Sequence, residues 1–334
     1  MTTDPSLSTD RWPIESGSAL AASIITVTPN PAVDKTAYLD ALLVGALNRL
    51  GRPTVDAGGK GINVSRTLEA LGVASQASGF VGGGSGQQLL ACLDGANFTL
   101  EFVPVGGATR TNLKVICAND GLTELNEAGP TVSTDEFNSL VDRLLDWAAP
   151  GVVLVFAGSL PPGIDPVTYV ALIAACRDKG AIVIVDADGP TLRLATSVPG
   201  VIIKPNCFEL GQLVGRETEP SLDESCALAL DLIAQGVGLV LVSAGADGAL
   251  FVDRRQVIRA PAVPVKVAST VGAGDAMVAA LALAISRDWP LDEAARLAMA
   301  CAAGACTTLG TTPPPKELVD QLLTEVQLEV LDAL

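Results

Sequence analysis

Histidine is absent from all 334 residues. That excludes Ser-His-Asp and Cys-His catalysis, phosphohistidine chemistry and His-ligated zinc. Any general base must be Asp, Glu, Lys, Tyr or Cys. Basic residues are scarce: 21 Lys and Arg stand against 37 Asp and Glu, a formal net charge of −16. Such an acidic chain offers no footprint for nucleic acid or for an anionic membrane. If it binds phosphates, local cations and backbone amides must hold them. The seven cysteines are odd in number and form no Cys-x-x-Cys pair. They read as reduced thiols, mostly core fillers. No apolar run has the flanks of a signal peptide, and none reaches membrane-spanning length without Gly or charge. The expectation is a soluble cytoplasmic protein.

What the chain does have is apolar mass: 49% of residues are hydrophobic. That suffices for one large α/β domain, with room for a small second layer. The distinctive stretch is 270–285, in which Thr270-Val-Gly-Ala-Gly-Asp275 runs into Ala, Leu, Met and Ile. It reads as a strand end, a Gly turn and a helix start. Gly272 and Gly274 permit close backbone approach. With Ala273 they present unpartnered helix amides, which form an anion site. Asp275 at its mouth is either a helix cap or a base.

A second glycine loop, Asp56-Ala-Gly-Gly-Lys60-Gly-Ile-Asn63, opens another helix. It departs from a Walker A loop because Gly61 stands where Ser or Thr is required. A lysine at a helix N-terminus is disfavoured by the dipole, so Lys60 points to an anion held between it and the amides. The turn at 82–86 is glycine-rich but lacks the dinucleotide-binding spacing.

From residue 128 onward strands and helices alternate. Helices are expected at 133–148, 166–178, 222–235, 292–308 and 316–325, the last two Ala-rich. Strands are expected at 152–156, 182–185, 201–204 and 239–243, and a hairpin over 249–260. This pattern predicts a mostly parallel sheet covered on both faces, with ligands at the strand ends. Asp34, Ser159, Asp186, Lys204, Asn206, Glu209, Ser243 and Asp275 all fall just past predicted strand ends. Residues 35–56 and 98–127 read instead as a small β-layer, with a hairpin turn at Asn119-Asp-Gly121. Residues 1–22 read as a loose extension. The core is then 23–34, 57–97 and 128–330.

An anion site, a carboxylate base, separated Lys and Arg side chains, and Glu209 one helical turn beyond Asn206 suit phosphoryl transfer. The motifs in order are Gly-Ala-Gly-Asp (272–275), Gly-Gly-Lys-Gly-Ile-Asn (58–63), Lys-Pro-Asn (204–206), Asn206-x-x-Glu209 and Gly-Ser-Leu-Pro-Pro-Gly (158–163). Together they resemble the ribokinase-like carbohydrate kinases of the pfkB type. Thr28-Pro-Asn-Pro-Ala-Val-Asp34, Thr109-Arg-Thr-Asn-Leu-Lys114 and Glu124-Leu-Asn-Glu-Ala-Gly-Pro130 resemble the sugar-phosphate branch.

The resemblance implies a three-layer α/β/α core with a small β-sheet lid through which two copies pair. It implies ATP and Mg²⁺, with Asp275 as base and Gly272, Ala273 and Gly274 as the anion hole. Asp34 and Asn63 would hold sugar hydroxyls; Gly59, Lys60, Arg110 and Ser159 would hold the substrate phosphate. Lys204, Asn206, Glu209, Ser243, Gly245 and Gly248 would serve the nucleotide, with Glu209 at the magnesium, directly or through water. The implied activity is phosphorylation of a ketohexose phosphate. Fructose 1-phosphate leads, and tagatose 6-phosphate and fructose 6-phosphate are the alternatives. A non-catalytic sugar-phosphate sensor is the reading from a different class. Asp188 stands where that branch usually carries serine.

Overall fold

The computed structural model describes residues 23–117 and 121–332. The extension expected over 1–22 and the Asn119-Asp120 part of the expected turn lie outside them.

The first third of the chain builds β1 (Ile24–Thr28), β2 (Ala32–Leu39), β3 (Thr54–Gly58), α1 (Lys60–Ala70), β4 (Gln76–Val81), α2 (Gly83–Cys92), β5 (Thr99–Pro104), β6 (Arg110–Cys117) and β7 (Gly121–Asn126). Then helices and strands alternate: α3 (Thr134–Trp147), β8 (Val153–Ala157), α4 (Pro166–Asp178), β9 (Ile182–Asp186), α5 (Gly189–Ala195), β10 (Ile202–Ile203), α6 (Cys207–Leu213), α7 (Leu222–Ala234) and β11 (Leu239–Ser243). The chain continues with the hairpin β12 (Ala249–Val252) and β13 (Gln256–Ala260), then α8 (Ala273–Ser286), α9 (Leu291–Cys306), α10 (Lys316–Leu323) and β14 (Glu329–Asp332).

Ten strands form one sheet in the order β14-β13-β12-β11-β10-β9-β8-β1-β4-β5. From β5 to β11 all pairs are parallel; β12, β13 and β14 add antiparallel strands at one edge. Each central strand is apolar on both faces, as a sheet covered on both sides requires. Ile25, Leu154, Val183 and Val240 pack on one side with residues of α3, α4 and α7. Their neighbours Ile24, Val153, Ile184 and Leu241 pack on the other with α1, α8, α9 and α10. The result is the three-layer α/β/α arrangement. Within the second layer α8 and α9 pack against each other, and alanine makes up half or more of the buried residues of each.

A separate four-stranded sheet has the order β3-β2-β6-β7. β2 pairs parallel with β6 and antiparallel with β3. Its root joins the main body through a third cluster, where Val33, Ala57 and Ile62 meet Leu89 of α2 and Leu93 at its C-cap.

Several expectations need correction. Residues 98–103 do not belong to the small layer: β5 pairs with β4 at the edge of the large sheet. The strand end expected at Thr270-Val271 is absent, since no strand lies between Ala260 and Ala273, so α8 is entered from a loop. The helices α5 and α6, seven residues each, and the strand β14 are additional. The last helix, α10, contains no alanine. The Gly82–Gly86 turn is a packing device, since a Cβ on Gly82 would lie 2.1 Å from the Gly107 carbonyl oxygen.

Candidate active site

The C-terminal ends of the parallel strands open into a cavity of about 500 Å³ lined by both sheets. Asp275 lies in the first turn of α8 and is buried. Gly272 is the N-cap of that helix at φ 86°, a left-handed conformation that glycine adopts without strain. No side chain caps the helix, so its first amides stay open. Ala273 turns its N–H back to the Thr270 carbonyl at 3.4 Å, whereas the amides of Gly274 and Asp275 have no such partner. The open amides are therefore those of Gly274 and Asp275; of the expected Gly272–Gly274 set, Gly272 and Gly274 line the cavity and Ala273 does not.

Asn63 of α1 donates from Nδ2 to Asp275 Oδ2 at 2.7 Å, which fixes the carboxylate. The Asn63 Oδ1 remains buried without a partner. Burial pushes the Asp275 carboxyl up to about 6, helped by the negative charge of Asp186. The Asn63 hydrogen bond and the charges of Lys60 and Lys204 act in the opposite direction. Asp275 is thus not a helix cap but a carboxylate poised near neutrality, as a general base needs.

Lys60 opens α1 and donates to Asp186 Oδ1 at 3.0 Å. Burial works against its ammonium, but Asp186, with Asp275 and Glu209 beyond, outweighs it and raises the pKa. Lys60 is therefore held on Asp186, and it lines the same cavity as Arg110. Lys204, buried after β10, brings its Nζ to 3.6 Å from the same Asp186 oxygen. A Cβ on Gly274 would come within 3.1 Å of Lys204 Nζ. The glycine lets that ammonium approach the open amides of the helix, a pairing of charge and donors that suits an anion.

On α6, Asn206 and Glu209 form a capping box. The Asn206 amide donates to Glu209 Oε2 at 2.9 Å, and the Glu209 amide donates to Asn206 Oδ1 at 2.7 Å. Glu209 keeps its second oxygen for another partner. Among the described residues no three potential metal ligands gather. A single carboxylate plus phosphate oxygens and water suits Mg²⁺, which seldom uses an all-protein cage.

The small sheet supplies the opposite wall. Asp34 lies inside β2, not beyond a strand end. It accepts hydrogen bonds from Asn112 Nδ2 at 2.9 Å and Lys114 Nζ at 2.8 Å. Gly58 makes room for it; a Cβ there would lie 2.5 Å from the Asp34 carboxylate. Arg110 donates to the carbonyls of Asn30 and Glu127. Burial lowers its pKa, opposed by Asp34. Gly59, Ser159 and Ser243 also line the cavity, whereas Gly245 and Gly248 do not. Gly248 instead closes the turn into β12, where a Cβ would strike the Ala260 carbonyl oxygen at 2.0 Å.

Sequence reasoning missed Asn112, Lys114, Glu124, Asn126 and Thr311 as wall residues. A signal existed for the first two. Arg110, Asn112 and Lys114 alternate along one strand, so all three share a face. Glu124 and Asn126 oppose Lys114 and Asn112 across β7 and share it too. Thr311 had no such signal. It arrives because the Pro-rich turn packs on Gly304, where a Cβ would meet Pro314 at 2.8 Å.

The profile of the pfkB family carbohydrate kinases matches residues 27–318. The chain belongs to this family. It is 37% identical over 305 residues to a 1-phosphofructokinase of Bacillus subtilis, covering 91% of this chain and 99% of that one. It is 36% identical over 306 residues to an ATP-dependent 6-phosphofructokinase isozyme 2 of Mycobacterium tuberculosis, covering 89% of this chain and 88% of that one. The crystal structure of phosphofructokinase-2 from Escherichia coli superposes with a TM-score of 0.85 at 32% identity, covering 91% of this chain and 98% of that chain. As a pfkB kinase the chain is a phosphotransferase. Among its described residues no helix is long and apolar enough to cross a membrane.

Proposed function

We propose that this kinase transfers the γ-phosphoryl group of ATP to the free primary hydroxyl of fructose 1-phosphate, giving fructose 1,6-bisphosphate. The observation that carries the reading is the Asp275 carboxylate. It is buried, held by Asn63 and poised at about 6, and it shares one cavity with the open amides of α8.

Asp275 accepts the proton of the sugar hydroxyl as its oxygen bonds to the phosphorus, and ADP leaves. The amides of Gly274 and Asp275, with Lys204, stabilise the charge on the transferring group. Asp34 and the Asn63 Oδ1 accept from the other hydroxyls; the orphaned Asn63 oxygen needs such a donor. Lys60, Arg110 and Ser159 take the substrate phosphate, and Ser243 and Asn206 lie on the nucleotide side. Mg²⁺, when bound, would neutralise the donor phosphates, held through Glu209 Oε1 directly or by water. The four-stranded sheet acts as a lid, and two copies pair through it. The site works in the cytoplasm, where the seven free thiols stay reduced.

A second reading keeps the mechanism and changes the acceptor to a ketohexose 6-phosphate. It is favoured by the similar identity to a 6-phosphofructokinase relative. ADP release with MgATP, measured on fructose 1-phosphate, fructose 6-phosphate, tagatose 6-phosphate, fructose and ribose, separates the readings. The highest kcat/KM on fructose 1-phosphate is expected. A preference for a 6-phosphate transfers the assignment, and turnover of nothing while a sugar phosphate binds tightly replaces the kinase with a sensor.

A further inference from the structure

The proposed chemistry makes no use of Asp186, yet this residue sits at the centre of the charges. It ends β9 in the middle of the large sheet and is 1% exposed. Its Oδ1 holds Lys60 at 3.0 Å and Lys204 at 3.6 Å. Those lysines come from opposite sides of the site: one opens α1 next to the small sheet, and the other precedes α6 and approaches Gly274. We infer that Asp186 is a positioning residue that fixes both lysines and thereby couples the sugar-phosphate half of the cavity to the nucleotide half.

The physical case has three parts. Asp186 is buried and needs a cation beside it, and the buried Lys204 in turn needs an anion; Lys60 keeps more than a third of its side chain in water and reaches in to the same oxygen. A lysine stem has four rotatable carbons, so an ammonium pinned at one hydrogen bond loses less freedom when a phosphate arrives. Each ammonium has three donors: Lys60 spends one on Asp186 and keeps two for a ligand, whereas Lys204, an ion pair at 3.6 Å, keeps all three. Coupling follows because both lysines share one oxygen: drawing one ammonium away leaves that oxygen wholly to the other.

The inference rests on the proposed phosphotransfer, and its test separates the two. The variant is D186N, assayed for KM of both substrates and for the acid limb of kcat/KM. Charged groups facing Asp275 are Asp186, Lys60 and Lys204, and Asn63 supplies a hydrogen bond. Loss of the Asp186 charge leaves Asp275 beside two uncompensated lysines, so its pKa falls and the acid limb moves to lower pH. KM for the sugar phosphate and for MgATP should each rise about tenfold, the scale of one hydrogen bond to a charged group. In K60M, D186N should no longer raise the sugar-phosphate KM, because the lysine it acts through is gone.

An unmoved acid limb in D186N overturns the inference, as does a change in only one KM or an additive double variant. Should D186N not fold, K60M decides alone: coupling requires its KM for MgATP to change too, and a wild-type value overturns it. If the wild-type enzyme phosphorylates no sugar phosphate, the functional reading falls instead, and that outcome is separate from an active wild type with an indifferent D186N.

Discussion

At the scale of single residues the site turns on the protonation of one carboxylate. Asp275 is raised to about 6, so kcat/KM should fall tenfold per pH unit as the pH drops below about 6. D275N should keep sugar-phosphate binding and lose roughly 10²–10⁴-fold in turnover. Its stability should move the opposite way. A carboxyl whose folded pKa lies above its unfolded value of about 3.9 binds its proton more tightly in the folded state. The stability it contributes is present below about pH 4 and is lost as the pH rises through about 6. D275N should therefore have a higher Tm than wild type at pH 8 and not at pH 4; calorimetry at the two pH values checks the sign. Its place at the start of a helix was legible in Gly-Ala-Gly-Asp, but that stretch alone left a cap and a base equally open. Its poise was not legible there, because the Asp186 charge and the Asn63 amide reach it from elements 89 and 212 residues away in sequence.

At the scale of elements, glycines decide where strands and helices approach. Gly79 of β4 has φ 143°, and a Cβ there would lie 1.8 Å from the Thr28 carbonyl oxygen of β1. G79A should cost about 2–4 kcal/mol, combining overpacking with backbone strain, read from the urea midpoint. Gly274 differs, because the atom in its way is the end of a lysine. G274A should leave Tm near wild type and raise KM for MgATP by roughly an order of magnitude, since Lys204 is displaced. Long regular elements were readable from sequence: α4, expected over 166–178, runs Pro166–Asp178, started by the Asp165 N-cap. Short ones were not. The helices α5 and α6 are seven residues each, too short to show a period, and β14 lies beyond the last predicted helix. The strand β5 misled because an apolar edge strand carries the same alternation whichever sheet it joins.

At the scale of the whole molecule, the small sheet presents Tyr38, Leu122 and Leu125 to solvent, each about half exposed or more. Tyr38 and Leu122 both pair with Ile116 and share the cavity-side face, and Leu125 lies on the other; apolar side chains left exposed on both faces of one small sheet mark it as a contact surface. Sedimentation should find a dimer, and L122D/L125D should shift it towards monomer; a wild-type monomer at micromolar concentration would remove the lid pairing. The mostly parallel sheet and the site at its strand ends were legible, because alternating apolar strands and helices leave few alternatives. The division between layers was not fully legible, since only strand pairing shows where β5 belongs.

The seam between α8 and α9 has a consequence for sequence variation. Every residue of α8 from Asp275 to Ala284 is buried, and alanine dominates both helices. A library of single substitutions should be least permissive there, admitting Gly, Ser or Cys and rejecting larger side chains. The segment with the plainest composition would then show the narrowest mutational spectrum. Its alanines hold the helix that carries Asp275 so near its neighbour that no added methylene can be absorbed.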